Sequence, residues 1–123
     1  MEFIPLAARI CLALIFLNAG IKHVLGFSGF VDTISQTLPL AGLLAVFTVI
    51  FLLLGSISLL LGYKVQIGAT LLILFLIPAT VVFHNFLADP GELTSFLKNL
   101  GLIGGLLLLI YTGPGKVSLD KAT

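Results

Sequence analysis

The chain has 123 residues, of which 59% are hydrophobic and 9% are charged, and its formal net charge is +1. A soluble domain is roughly a quarter charged because water must hydrate its surface, so this composition excludes an ordinary soluble protein and suits a lipid-facing one. The small net charge creates no basic field, so we expect no nucleic-acid partner. The length allows a single domain, residues 1–123.

Apolar segments dominate the chain, and a membrane-spanning helix needs about 20 mostly apolar residues. Residues 62–64 leave room only for a tight turn, so the segments on either side form a helical hairpin. Pro39 is expected to open the second segment, and Thr94 or Ser95 to cap the fourth. The predicted fold is therefore an all-α, integral membrane four-helix bundle. Its spans are expected at about residues 3–21, 40–61, 65–87 and 96–112.

The first span could alternatively be a cleaved signal peptide. Glu2 stands where a signal peptide has positive charge, and Arg9 lies where its apolar region should begin, so we expect a retained span. The connection that follows the span places Phe27, Phe30 and Ile34 among polar residues, which predicts a short helix at the membrane interface.

Lysine and arginine residues predict the orientation, because cytoplasmic loops carry an excess of them. With four spans, both termini lie on the same side as Arg9, Lys64, Lys116 and Lys121. The opposite side holds fewer such residues. We therefore expect both termini to be cytoplasmic.

Polar residues gather near the outer ends of the predicted helices. At membrane depth such groups usually face the bundle interior or a wet cavity, so together they could hold an anion or a carbonyl-bearing head group such as a quinone. The alternative is that the lysines reach the lipid head groups and the histidines are ordinary interfacial residues. No spacing here is typical of metal ligands, so no metal site is predicted. The candidate ligand-binding residues are Lys22, His23, His84, Asn85, Lys98 and Asn99.

Pro78 lies in the middle of the third predicted span. It removes the N–H that would bond the Leu74 carbonyl and should kink the helix. Such a kink would change the direction of Thr80 and His84, which follow it.

Arg9 is a charge within the first span and needs a partner or a route to the head groups. Asp120, in the tail on the same side, is the candidate partner. An Arg9–Asp120 pair would tie the tail to the bundle, whereas contact with a lipid phosphate is the alternative.

Small residues mark positions where helix backbones can approach closely. Gly101 and Gly105 have this spacing in the fourth span, and Gly55, Ser58 and Gly62 form a stripe in the second. These faces serve either packing within one bundle or a homo-oligomer.

Several short motifs follow one another along the chain. They are Arg9, Asn-Ala-Gly-Ile-Lys at 18–22, Leu-Gly at 61–62, His-Asn-Phe at 84–86, Lys-Asn-Leu at 98–100, Gly-Gly-Leu-Leu at 104–107 and Gly-Pro-Gly-Lys-Val-Ser-Leu-Asp at 113–120. Together they resemble the DoxX family over nearly the whole chain, and the C-terminal combination is the most specific part. The resemblance implies a four-helix membrane protein of the bacterial inner membrane. Polar residues typical of the family match Arg9, Lys22, His84, Lys98, Asn99 and Asp120.

The resemblance also implies two functions. The family is named after relatives of a membrane subunit of thiosulfate:quinone oxidoreductase, so we expect a small, non-autonomous subunit of quinone-linked oxidoreduction. Its expected cofactor is a quinone, and its expected partners are the lipid bilayer and a soluble or membrane redox protein. Distant animal relatives look like membrane chaperones or cargo receptors, so the alternative is a non-enzymatic assembly factor, chaperone or complex-stabilising subunit. A transporter is a weaker third hypothesis, since no inverted repeat is visible.

One position departs from the family pattern. Many members carry a Glu in the second span where this chain has Leu52, so the last three predicted spans contain no carboxylate. Cys11 is the single cysteine, so no redox cysteine pair exists in this sequence. Electrons would therefore have to come from a bound cofactor or a partner subunit.

Overall fold

The computed structural model of the chain describes residues 3–36, 38–83, 90–115 and 118. Within these residues the regular structure is entirely helical, which confirms the predicted all-α class. A short 3-10 turn, Pro90–Glu92, leads into the last helix. The helices are α1 (Phe3–Leu25), α2 (Phe27–Ser35), α3 (Ala41–Leu61), α4 (Val65–Phe83) and α5 (Leu93–Thr112).

Three segments are long and apolar enough to cross a membrane, namely α1, α3 and the segment from Pro90 to Thr112. Helix α4 adds a shorter apolar stretch, Val65–Val81. The chain is therefore an all-α membrane bundle. The predicted third span continued to residue 87, and residues 84–87 lie outside the described part. A fourth complete span and the side of the termini stay predictions.

Helix α2 is the short helix expected between the first two spans. Helix α1 continues to Leu25, beyond its predicted end at residue 21, and α2 begins almost at once, because the Phe30 amide donates to the Gly26 carbonyl at 3.0 Å. Ile34 is the buried residue of α2, which packs against α3 and the end of α1. The position of α2 at a membrane interface remains a prediction.

The starts of α3 and α5 differ from the predicted ones. Leu40 precedes α3 in the left-handed conformation, with φ of 57°, so Pro39 is not the first helical residue. The 3-10 turn at 90–92 winds directly into α5, so Thr94 and Ser95 lie inside this helix and do not cap it.

The helices pack in the order α1, α3, α4, α5, each mainly against the next. Their shared core is aliphatic except for one aromatic ring. The buried core residues are Ala13, Phe16, Leu52, Leu59, Val65, Ala69, Leu72, Leu76, Leu106 and Leu109.

Helices α3 and α4 approach closely where glycines face each other. A Cβ added to Gly55 would lie 2.6 Å from Leu72 Cγ and 3.0 Å from the Gly68 carbonyl oxygen. A Cβ on Gly68 would collide with Ser58, whose hydroxyl already donates to the Tyr63 carbonyl at the turn. The small-residue stripe of α3 therefore serves packing within the bundle.

The glycines of α5 behave differently. Nothing lies within 4 Å of a Cβ added at Gly101 or Gly104, and Leu12 is 3.5 Å from one added at Gly105. Only Gly105 thus faces a neighbouring helix at contact distance. Homo-oligomerisation through the open face of α5 stays a proposal.

Arg9 is fully buried, at 0% exposure, and joins α1 to the end of α3. Its Nη1 donates to the Leu59 carbonyl oxygen at 2.9 Å. Gly62 has φ of 69°, and a Cβ there would collide with the Arg9 guanidinium and with Ser118. The tail therefore returns to the end of the bundle where Arg9 lies. Asp120 lies outside the described residues, so we propose, from the position of Ser118, that Asp120 pairs with Arg9.

We expect Gly55→Ala to lower the free energy of unfolding by about 1–3 kcal/mol, because its Cβ would overlap Leu72. At an uncrowded position inside a helix, Gly→Ala instead raises the free energy of unfolding by roughly 0.5–1 kcal/mol. The sign of the change therefore shows whether the position is crowded. Gly104→Ala is the matched control, since its Cβ would meet nothing within 4 Å. Thermal unfolding in detergent compares the two variants. Equal stabilities would contradict the close approach of α3 and α4.

Asp120→Asn tests the proposed pair. We expect it to cost about 1–1.5 kcal/mol, the difference between a hydrogen bond to a charged acceptor and one to a neutral acceptor, and to speed proteolysis of the tail. Lys121→Gln, which removes the charge of the neighbouring residue, is the control. It should change neither the stability of the protein nor the rate of tail proteolysis. If Asp120→Asn leaves stability and proteolysis unchanged, Asp120 does not pair with Arg9, and lipid phosphate becomes the better candidate.

Candidate functional site

A cavity of about 620 Å³ lies between α2, the first half of α3 and the second half of α4. This volume falls in the range of sites that bind small molecules. Most of the wall is apolar, and its polar side chains are His23, Thr33 and Thr48. Its aromatic side chains besides His23 are Phe30, Phe47, Phe51 and Phe75.

Helical spacing explains why α3 and α4 present these residues together. Phe47 and Phe51 are four residues apart and therefore share one face of α3. Their ring centroids lie 6.5 Å apart at an interplanar angle of 62°, an edge-to-face arrangement. On α4, Leu74 and Pro78 share a face in the same way, and Phe75 lies beside them. Two aromatic and aliphatic walls thus oppose each other across the cavity.

Pro78 also changes the backbone of the cavity wall. Because proline has no N–H, the Leu74 carbonyl loses the donor that an α-helix would normally supply four residues later. Both residues line the cavity. The wall of α4 therefore includes a main-chain acceptor without its usual helical donor.

His23 occupies the polar end of the cavity, in the last turn of α1. Its ring stacks on Phe30 of α2, with centroids 3.8 Å apart and an interplanar angle of 15°. A histidine ring carries two nitrogens, and a neutral ring offers one donor and one acceptor. The stack fixes the plane of a side chain that could bond a ligand.

Helix α2 covers the polar end of the cavity. Gly26 and Gly29 line the cavity and are exposed, and no atom lies within 4 Å of a Cβ added to Gly29. Ile34 lines it too and is buried, which anchors α2 on the bundle. The cavity therefore reaches the surface beside α2 at its glycines.

Of the six candidate ligand-binding residues, the structure describes four, and it does not bring these four together in one site. His23 lines the cavity, whereas Lys22 and Lys98 are exposed. Asn99 is buried and donates from Nδ2 to Thr80 Oγ1 at 3.1 Å, so it joins α5 to α4. Of these four residues only His23 belongs to the cavity. The other two candidates lie outside the described residues: His84 and Asn85.

Metal-ligating side chains are not clustered in the part of the chain that the structure describes. There, no three or more His, Cys, Asp or Glu side chains lie close enough together to hold a metal ion. Cys11 is exposed on α1, away from the cavity lining. The polar side chains of the described cavity lining are His23, Thr33 and Thr48.

The aromatic lining was not predicted from the sequence. Phe47, Phe51 and Phe75 are ordinary residues of apolar spans, and phenylalanine faces lipid as readily as it faces a cavity. The four-residue spacing of Phe47 and Phe51 was a signal that they share a face. Which face points to α4 depends on helix packing, which hydropathy does not specify.

Comparisons with known proteins agree with this architecture. Inner membrane protein YphA of Escherichia coli is 32% identical over 122 residues, covering 94% of this chain and 87% of that protein. Inner membrane protein YqjF of the same organism is 28% identical over 116 residues, covering 94% and 88%. ER-derived vesicles protein ERV29 of Saccharomyces cerevisiae is 35% identical over 80 residues, covering 61% of this chain and 26% of that protein. No solved structure matches the chain.

The sequence model of the DoxX family matches residues 4–85, which include His23 and nearly all of the cavity-bearing helices. The two near-full-length bacterial relatives are named as inner membrane proteins, which confirms the predicted location. The predicted resemblance is therefore confirmed, and the chain belongs to the DoxX family.

Proposed function

We propose that this protein binds a quinone-type ligand in the cavity between α2, α3 and α4, as a small membrane subunit of quinone-linked oxidoreduction. One observation carries the proposal: aromatic side chains line a small-molecule-sized cavity that has a ring-stacked histidine, His23, at its polar end. Sites for small ligands typically combine an apolar wall with a few polar groups that fix orientation.

The residues present fit a quinone. Phe30, Phe47 and Phe75 offer flat apolar surfaces to a conjugated ring. A ring N–H of His23 can donate to a quinone carbonyl oxygen, and the hydroxyl of Thr48 is a further donor. The Thr33 hydroxyl already donates to the Gly29 carbonyl oxygen at 2.9 Å. A bound quinone would supply the electron-carrying chemistry, while the protein binds it, orients it and limits water.

The rest of the chain supports a subunit that depends on a partner. Cys11 is the single cysteine of the sequence, so two thiols of one chain cannot exchange electrons here. A redox protein, soluble or in the membrane, would deliver electrons to the bound quinone. The chain would contribute the binding site within the bilayer.

A second candidate is a non-enzymatic assembly factor, chaperone or complex-stabilising subunit. The similarity to the yeast ER-derived vesicles protein ERV29 and to a Surfeit locus protein 4 homolog of Schizosaccharomyces pombe favours it, because the first name assigns that relative to vesicles derived from the ER. The second relative is 36% identical over 67 residues. In that case a client polypeptide would copurify in stoichiometric amount.

His23→Phe tests the proposed role of the histidine. The variant keeps an aromatic ring to stack on Phe30 and removes both nitrogens. We expect it to weaken binding of a decyl-substituted benzoquinone about tenfold, which corresponds to the loss of one hydrogen bond of about 1.4 kcal/mol. Thermal stability without ligand should stay close to that of the wild type. Calorimetry and native mass spectrometry on the purified protein measure both quantities.

Lys22→Gln is the matched control, because Lys22 neighbours His23 and is exposed outside the cavity lining. Its affinity should equal that of the wild type. A wild-type protein that does not bind the benzoquinone contradicts the proposal. A stoichiometric polypeptide in the same spectra would favour the assembly function.

A further inference from the structure

The polarity of the cavity wall changes along its length. His23 and Thr33 belong to the end formed by α1 and α2, and Thr48 comes from the first half of α3. Farther along, the lining residues Phe51 and Leu74 are both apolar. The cavity can therefore satisfy a polar group near α2 and only apolar groups at its far end.

The far end lies near the middle of the helices. Phe51 is the central residue of α3, Ala41–Leu61, and Leu74 is the central residue of α4, Val65–Phe83. At 1.5 Å of rise per residue, the ten residues from Ala41 to Phe51 correspond to about 15 Å along α3. That length is half of a hydrocarbon core of about 30 Å. The cavity thus extends from the end of α3 beside α2 to about the bilayer midplane.

The cavity opens sideways between α3 and α4. Phe47 and Leu74 line it, yet they are 49% and 53% exposed, and Leu44 and Pro78 are exposed lining residues as well. These side chains bound an opening on the outer surface of an apolar helix pair. Lipid tails are the surroundings at this depth, so the opening faces lipid rather than water.

We infer that the cavity takes a single-tailed amphiphile directly from the bilayer. Its polar ring lies at the His23 end, and its apolar tail leaves through the opening between Leu74 and Phe47. The inference rests on the proposed function, because it specifies the ligand shape and the entry route for the same cavity. A ligand that has the ring but no tail would fill the polar end of the cavity, and lipid would occupy the apolar half.

Two benzoquinones with the same ring test this arrangement. One is 2,3-dimethoxy-5-methyl-1,4-benzoquinone, which has no tail, and the other carries a decyl chain. Leu74→Trp narrows the opening from α4. Leu74 is exposed, so the larger side chain has room. Dissociation constants are measured in nanodiscs of one lipid composition. Partitioning of a probe into lipid is then the same for every variant and does not affect the ratio of their dissociation constants.

We expect Leu74→Trp to weaken binding of the decyl probe about tenfold, because tail methylenes lose their buried position, and to change binding of the tailless probe less than about twofold. Ile77→Trp is the matched control. Ile77 is also on α4, is 50% exposed and does not line the cavity. This variant should bind both probes like the wild type.

The outcomes separate the inference from the proposed function. If Leu74→Trp binds the decyl probe as Ile77→Trp does, or weakens binding of both probes equally, the sideways arrangement is wrong while quinone binding stands. If the wild type binds neither probe, the proposed function is wrong and the inference falls with it.

Discussion

The close approach of α3 and α4 at Gly55 and Gly68 is the contact on which the rest of the bundle depends. Lipid tails are as apolar as the helices, so association in a membrane relies on van der Waals packing and on small residues that let backbones meet. Here a single methyl group would overlap Leu72 or Ser58. The hairpin is therefore closed tightly at the end that carries its turn.

The cavity is a consequence of the same helix pair. Beyond the glycine contact, the facing positions carry large side chains, Phe51 and Phe47 on α3 and Phe75 on α4. These rings keep the two backbones farther apart than the glycines do, so space remains between the helices. Helix α2 covers the end of this space that lies beside the start of α3. One antiparallel pair thus supplies both a close helix contact and a ligand-sized cavity.

Arg9 completes the tight end of the bundle. The last four carbonyls of a helix have no donor within that helix, and Leu59 belongs to this group in α3. Arg9 donates to its carbonyl from α1, and a positive charge near a helix C-terminus also interacts favourably with the helix dipole. Gly62 leaves the space that the guanidinium occupies. A buried charge therefore has a structural role far from the cavity.

Hydropathy and segment length were sufficient to predict the helical class, the hairpin turn and the helix that became α2, whereas the fourth complete span stays a prediction. The packing role of Gly55 also followed from its spacing with other small residues. The lateral arrangement did not follow, because apolar side chains on a spanning helix can face lipid, a neighbour or a cavity. Asn99 was therefore placed with His23 in one site, although it bonds Thr80 between α4 and α5.

The most direct test of ligand binding at the cavity is to identify what the protein carries out of its own membrane. Gentle purification followed by native mass spectrometry and solvent extraction would report the mass and the absorption spectrum of any bound molecule. A stoichiometric ligand with a quinone-type ring and one apolar tail is the predicted result. Phospholipid alone, or a stoichiometric polypeptide with no small ligand, would contradict it.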